Sequence, residues 1–282
     1  MKRFLICGLG SIGQRHARIL RRLLGDQAEL HAYRSRGLQI VINDNMTARE
    51  GESPEAAYGI MPHTSLENAL ALRPDAVFIT NPISEHVRIA LEAARAGCAV
   101  FVEKPVGDSL EGVTELQAMI SEKKLAACTG YQLRFHPAVM KIKKWLAEGA
   151  VGRVIHAHLH FGEWLPGMHP YEDYRISHAA QARQGGGVIL CLSHEIDYAC
   201  WLFGQPRSVM AFGGISGDLD VDVEDTADLL FHCGEAGREH PVNIHLDFLQ
   251  RPARRNCLIV GTHGVIEWNY YALEATLNCS GK

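Results

Sequence analysis

The first half of the chain alternates short apolar runs with stretches whose apolar residues recur every three to four positions. Phe4–Cys7 is an apolar run stopped by Gly8, and it predicts a buried strand. Ile12, Ile19, Leu20, Leu23 and Leu24 then share one helical face, and Gly25-Asp26 closes that helix. Residues 29–33 predict a second strand, whereas 36–58 are polar and irregular and receive no element. Thr64 or Ser65 caps a short helix through Leu72, and 76–80 form a strand after Pro74-Asp75. Asn81-Pro82 turns the chain into a helix over 84–96, which Gly97 ends. A strand over 99–102, a helix over 110–123 and a strand over 126–131 complete the series.

This rhythm predicts a doubly wound parallel sheet with helices on both faces and ligands beyond the carboxyl ends of its strands. Past residue 133 the pattern changes. A helix over 138–148 is followed by longer alternating runs at 153–161, 208–214, 226–233, 242–249, 257–260 and 265–270, with one helix at 194–202. Strands gathered in one half predict a second, α+β domain with a largely antiparallel open sheet. We therefore expect an α/β nucleotide-binding domain over 1–123 and a second domain over 124–282.

With 47% hydrophobic and 21% charged residues, the 282-residue chain can bury two cores and is not disordered. Its 28 Lys+Arg against 32 Asp+Glu leave a net charge of −4, which argues against nucleic acid as a partner. No apolar run approaches the roughly 18 residues of a membrane span. The start resembles a signal peptide only as far as Gly8 and Gly10, with Arg15 following, so export is not expected. The eight scattered cysteines form no C-x-x-C pair and read as reduced thiols of a cytoplasmic protein.

Gly8-Leu9-Gly10-Ser11-Ile12-Gly13 fits G-x-G-x-x-G between a strand and a helix. Gly8 permits the tight turn, Gly10 lets backbone approach a pyrophosphate, and Gly13 lets the helix pack on the strand. At the end of the second strand, where an acidic residue would bind the ribose of NAD, the chain reads Arg34-Ser35-Arg36. Two guanidiniums and a hydroxyl suit a 2′-phosphate, and no carboxylate stands in this stretch to repel it. The expected cofactor is NADP, with NAD as the alternative and a solvated basic loop as the bland reading.

Glu103-Lys104-Pro105 ends a buried strand, where the Lys104 ammonium can hold a substrate hydroxyl. His194 opens a helix after Gly185-Gly186-Gly187, and Asp197 shares its face. A histidine suits the proton of an alcohol losing hydride, although a core histidine bonded to Asp197 is the plainer reading. His156, His158 and His160 alternate on one strand face, but their spacing does not support a metal site and none is expected. Trp164, His169, Tyr171, Asp173 and Tyr174 form a polar-aromatic stretch that suits a sugar-binding loop or an ordinary surface loop.

In order and spacing these pieces resemble the glucose-fructose oxidoreductase / inositol dehydrogenase (Gfo/Idh/MocA) family over nearly the whole chain. The likeness rests on the glycine run at Gly8, Asn81-Pro82 with His86, Glu103-Lys104-Pro105, the 130–137 segment GYQLRFHP, and the 185–187 glycines leading to His194 and Asp197. It implies a Rossmann domain, a C-terminal sheet that mediates a homodimer or homotetramer, and oxidation or reduction of a sugar, sugar nucleotide or cyclitol. It carries catalytic roles onto Lys104 and His194. Cofactor contacts are expected from Gly8, Gly10, Ser11, Ile12, Gly13, Arg34, Ser35, Arg36, Asn81, Pro82, His86, Glu103 and Lys104. Substrate contacts are expected from Tyr131, Arg134, Tyr171, Asp173, Tyr174 and Asp197.

Two departures stand out. Cys191 replaces the carboxylate the family usually carries one helical turn before the histidine. The chain also stops soon after Gly264, so the tail 278–282 has no evident role and the sheet is expected to be shortened. These departures motivate a competing expectation, a protein that binds NADP and a sugar without turnover. A weaker one is an oxidoreductase with another substrate, such as a bilin or a diol.

Overall fold

The computed structural model describes residues 1–34 and 40–279. The expected alternation is realised as β1 (Lys2–Cys7), α1 (Ser11–Leu24), β2 (Ala28–Tyr33), β3 (Ile40–Ile42), β4 (Ala48–Glu50), α2 (Pro54–Tyr58), β5 (Ile60–His63), α3 (Leu66–Ala71), β6 (Ala76–Ile79), α4 (His86–Arg95), β7 (Ala99–Val102), α5 (Val113–Lys123) and β8 (Ala127–Thr129). Six of these strands form a parallel sheet in the order β5-β2-β1-β6-β7-β8. Strand order reverses at β1 and β6, which opens a crevice at their carboxyl ends. The polar stretch given no element in sequence supplies the antiparallel pair β3–β4 and the short helix α2.

Residue parity explains the two cores of this sheet. Leu5, Val77, Ile79, Val100 and Val102 pack with Ile89, Ala93 and Leu116 of α4 and α5 on one face. Ile6, Ala28, Leu30 and Ile60 pack with Ala17 and Leu20 of α1 on the other. Of the two candidate caps, Thr64 and Ser65, it is Ser65 that caps α3, accepting from Asn68 N–H.

The chain divides into two compact units. The first holds Met1–Gly130 together with His169–Asp173 and Arg183–Gly185, and the second holds the remainder. The expected boundary at 123/124 therefore moves to Gly130/Tyr131. The reason is that Val100–Val102 pairs with Ala127–Thr129, making β8 the sixth parallel strand.

The second unit contains α6 (Pro137–Ala147), β9 (Val154–Gly162), α7 (Leu165–Met168), α8 (Val188–Cys191), α9 (His194–Phe203), β10 (Ser208–Gly214), β11 (Thr226–Cys233), β12 (His240–Asp247), β13 (Arg254–Gly261), β14 (Gly264–Asn269) and β15 (Glu274–Cys279). Its seven strands run β10-β11-β12-β9-β13-β14-β15, with β9–β12 parallel and the other neighbours antiparallel. The tail expected to lack a role contributes Asn278 and Cys279 to β15, the sheet's edge strand.

Alternation on β9 buries Ala157, Leu159 and Phe161 in a core with Tyr198 and Trp268. It turns His156, His158 and His160 to the opposite face. That face also carries Met210, Phe212 and Leu230, which are solvent-exposed.

Candidate active site

At the end of β1 the chain makes the turn that the glycine run predicts. Gly8 has φ +98°, and a Cβ there would stand 2.9 Å from the Thr80 carbonyl oxygen. Its N–H donates to Tyr33 O at 2.9 Å, and its carbonyl accepts from the Thr80 hydroxyl at 2.7 Å. A Cβ on Gly13 would overlap the Gly8 carbonyl, so α1 can approach β1 only with glycine there. Gly10, the residue before α1, differs: its missing Cβ points into open space, and no side chain caps the helix. The first intrahelical bond is from Gln14 N–H to Gly10 O at 3.0 Å, which leaves the preceding N–H groups directed outward. Open space over an uncapped helix N-terminus fits a pyrophosphate. The buried Gln14 side chain ties this turn to its surroundings, donating to Leu9 O and Ile40 O and accepting from Ile42 N–H.

The neighbouring strand ends form the rim. Asn81 has a buried Oδ1 without a hydrogen-bond partner among the described residues, an acceptor that fits a donor on a dinucleotide. His86 places Nδ1 2.8 Å from Pro105 O and Nε2 2.9 Å from Asn81 O. Burial holds its pKa below the ordinary value, and the neutral ring donates its one N–H to one of these two carbonyls, bracing the turn at Pro82. Glu103 accepts from Lys104 N–H at 3.2 Å, and its other oxygen lies 2.8 Å from His16 Nε2.

The segment His169–Asp173 belongs to this same unit. Burial and the Lys104 charge push the His169 imidazole below its usual pKa, which favours a neutral ring beside an ammonium. Tyr171 hydrogen-bonds Ser11 at the start of α1, and burial pushes its phenol up to about 12. Tyr171 and Asp173, expected as substrate contacts, thus lie on the nucleotide-binding unit together with Lys104 and the glycine turn.

At the end of β2, Ser35 and Arg36 lie outside the described residues. Arg34 Nε pairs with Glu55 Oε1 at 2.7 Å, with both side chains largely buried. In the sequence no carboxylate stands beside Arg34. The fold brings one from α2, 21 positions on in the chain, and the second oxygen of Glu55 is buried without a partner among the described residues.

The second unit gathers another cluster around the start of α9. His194 is only 6% exposed. The Tyr131 ring stands edge-on to its imidazole, with centroids 5.7 Å apart. Arg134 grips Asp197 with two bonds of 2.9 and 2.6 Å. Glu195, fully buried, is gripped by Arg255 of β13 at 2.6 and 2.9 Å. Tyr174 is not part of this cluster, because its hydroxyl accepts from Asp220 N–H at 3.1 Å. Cys191 ends α8, half-buried.

His16, Glu55 and Arg255 were not identified from sequence as site residues, and His169 was singled out only within the polar-aromatic stretch 164–174. Only His16 had a usable signal: three residues past Gly13, it falls on the inward face of α1.

Residues 2–131 match the profile of the oxidoreductase family with an NAD-binding Rossmann fold, and residues 139–267 match the GFO/IDH/MocA C-terminal domain. Inositol 2-dehydrogenase of Rhizobium meliloti is 28% identical over 228 residues, covering 80% of this chain and 62% of that protein. An uncharacterised oxidoreductase of Synechocystis is 30% identical over 181 residues, covering 63% of this chain and 47% of the relative. The chain thus spans roughly half to three-fifths of the length of these relatives. Among solved structures, the WlbA dehydrogenase of Bordetella pertussis in complex with NADH and UDP-GlcNAcA superposes with a TM-score of 0.84 at 23% identity. That superposition covers 100% of this chain and 78% of WlbA, and it supports the fold.

Proposed function

The chain belongs to the GFO/IDH/MocA oxidoreductase family, and we propose that it transfers hydride between a nicotinamide dinucleotide and a sugar-like, sugar-nucleotide or cyclitol alcohol or ketone. The observation that carries this reading is the strand–turn–helix at Gly8–Gly13. It combines a turn only glycine can make, a helix seated against it, and open space over uncapped N–H groups. The names of the relatives, inositol 2-dehydrogenase among them, support the substrate class.

When bound, the nicotinamide accepts or returns the hydride. The α1 N-terminus and the Gly10 backbone hold the pyrophosphate, and the buried Asn81 Oδ1 accepts a hydrogen bond from the dinucleotide. The Lys104 ammonium holds the substrate oxygen. In the oxidation direction His194 accepts the hydroxyl proton as the carbonyl forms, and in reduction it returns that proton. The guanidiniums of the Arg34-Ser35-Arg36 sequence favour NADP, because such groups suit a 2′-phosphate. Glu55 opposes them in part, since it already pairs with Arg34.

The assembly is a homodimer or homotetramer formed through the open face of the second sheet, where Met210, Phe212 and Leu230 are exposed. Eight free thiols support a reducing, cytoplasmic setting. Among the described residues, no helix is long and apolar enough to cross a membrane.

The test is a panel of cyclitols, sugars and sugar nucleotides, each offered with NAD and with NADP and followed by nicotinamide absorbance. Turnover with at least one member is expected. Cofactor binding without turnover across the panel would favour a sensor or partner-binding module instead.

A further inference from the structure

The first turn of α9 carries His194, Glu195 and Asp197, and two arginines grip the carboxylates that flank the histidine. With about 100° of rotation per residue, Glu195 lies roughly 100° to one side of His194 and Asp197 roughly 60° to the other. Arg255, from β13 beside the central strand β9, forks onto both oxygens of Glu195 at 2.6 and 2.9 Å. Arg134 forks onto both oxygens of Asp197 at 2.9 and 2.6 Å.

The two grips differ in environment. Arg134 is 43% exposed, whereas Arg255 is 8% exposed and Glu195 is fully buried. Arg255 also lies over the Phe161 ring, 4.2 Å from its centroid, so the fork is packed in place. A bidentate guanidinium–carboxylate pair fixes angle as well as distance, which a single contact does not. Burying a charged pair is a poor way to stabilise a core, because desolvation offsets the attraction and apolar residues of like size serve as well or better. A buried fork on the residue next to a histidine is instead suited to fixing the roll of the helix.

We infer that Arg255, acting through Glu195, is a positioning residue that sets the orientation of the His194 imidazole, with Arg134 on Asp197 as its counterpart on the other flank. This rests on the reading of His194 as the proton acceptor. Arg255 touches neither substrate nor cofactor in this role. It fixes the azimuth of the first turn of α9, and His194 follows.

The test replaces the buried pair by apolar residues of similar size, in the double variant Glu195→Leu/Arg255→Met. This removes the fork without leaving a lone buried charge. Melting temperature, kcat, KM, the pH profile and the histidine NMR spectrum are compared with wild type, with the His194 resonance assigned by its loss in His194→Gln. A positioning role predicts an unchanged or higher melting temperature and a kcat lowered roughly 100-fold, as a misplacement of about 1 Å can cause. It also predicts a displaced pH profile, cofactor KM near wild type, and a shifted or broadened His194 resonance. Wild-type kcat, pH profile and His194 resonance in the double variant would show that the pair only holds the fold together.

Should the double variant fail to fold, Arg255→Lys keeps the charge and loses the fork. Lower kcat at unchanged KM supports the inference, and unchanged kcat contradicts it. If His194→Gln itself retains turnover, the proton-acceptor reading fails, and the resonance alone then decides whether Arg255 orients the ring.

Discussion

His16 of α1 and Glu103 at the end of β7 meet at 2.8 Å, although 87 positions separate them in the chain. The imidazole packs against the rings of Phe78 and Phe101, and the carboxylate's other oxygen accepts Lys104 N–H. The backbone of the residue assigned to the substrate oxygen is therefore anchored to the helix that starts the cofactor cradle. Gly130 passes so close to Glu103 that a Cβ there would stand 2.8 Å from a carboxylate oxygen, which confines the carboxylate further.

Replacing His16 by Ala should leave that nearly buried oxygen without its partner and cost about 1–3 kcal/mol. Turnover should fall further than stability alone explains, because the Lys104 backbone loses its anchor. Thermal melts and kcat measured on the same preparation check this. A destabilised variant with full kcat would show that the contact serves only the fold.

Gly10 and Gly13 should behave oppositely. Gly10→Ala adds a methyl group into open space, so the fold should melt as wild type while dinucleotide affinity drops at least tenfold. Gly13→Ala drives a methyl group into the Gly8 carbonyl, so both stability and binding should suffer. Circular-dichroism melts and fluorescence titration with NADH and NADPH separate the two. Undiminished binding in Gly10→Ala would place the pyrophosphate elsewhere.

For the cofactor, NADPH should bind more tightly than NADH. A guanidinium–phosphate pair contributes roughly 1.5–3 kcal/mol, about ten- to a hundredfold in affinity. Glu55→Gln should strengthen NADPH binding by removing the carboxylate that occupies Arg34, and leave NADH binding unchanged. Weaker NADH binding in this variant would instead assign the orphaned Glu55 oxygen to the ribose hydroxyl of NAD.

His245 gives a pH dependence of stability. Its bonds to Asp247 and Asp228 raise its pKa from 6.5 to about 9. A pKa raised on folding stabilises fully below the unfolded value, and the gain is lost as pH climbs through the folded one. Stability should therefore decline between pH 6.5 and about 9, by about 1–2 kcal/mol after allowance for solvent screening at this partly exposed site. Urea melts across that range should show the slope in wild type and lose it in His245→Gln. An equal slope in the variant would assign it to other groups.

What the sequence revealed and what it hid have a common physical cause. The glycine turn, the Ser65 cap and the parity of β9 were legible because each depends on neighbours within a turn or two. The pairs Arg34–Glu55, His16–Glu103 and Glu195–Arg255 were not, because strand order and helix packing bring their members together. The 36–58 stretch was opaque for a related reason. Its elements β3, β4 and α2 are three to five residues long, too short to show a period. The return of His169–Asp173 to the first unit likewise has no signature in local composition.

The most direct measurement of the central claim is steady-state turnover of Lys104→Ala and His194→Ala with the best substrate of the panel, alongside NADH and NADPH affinity. The account predicts that each variant loses about 10²–10⁴-fold in kcat while cofactor affinity stays near wild type. Turnover within a few-fold of wild type in either variant would contradict the role assigned to that residue.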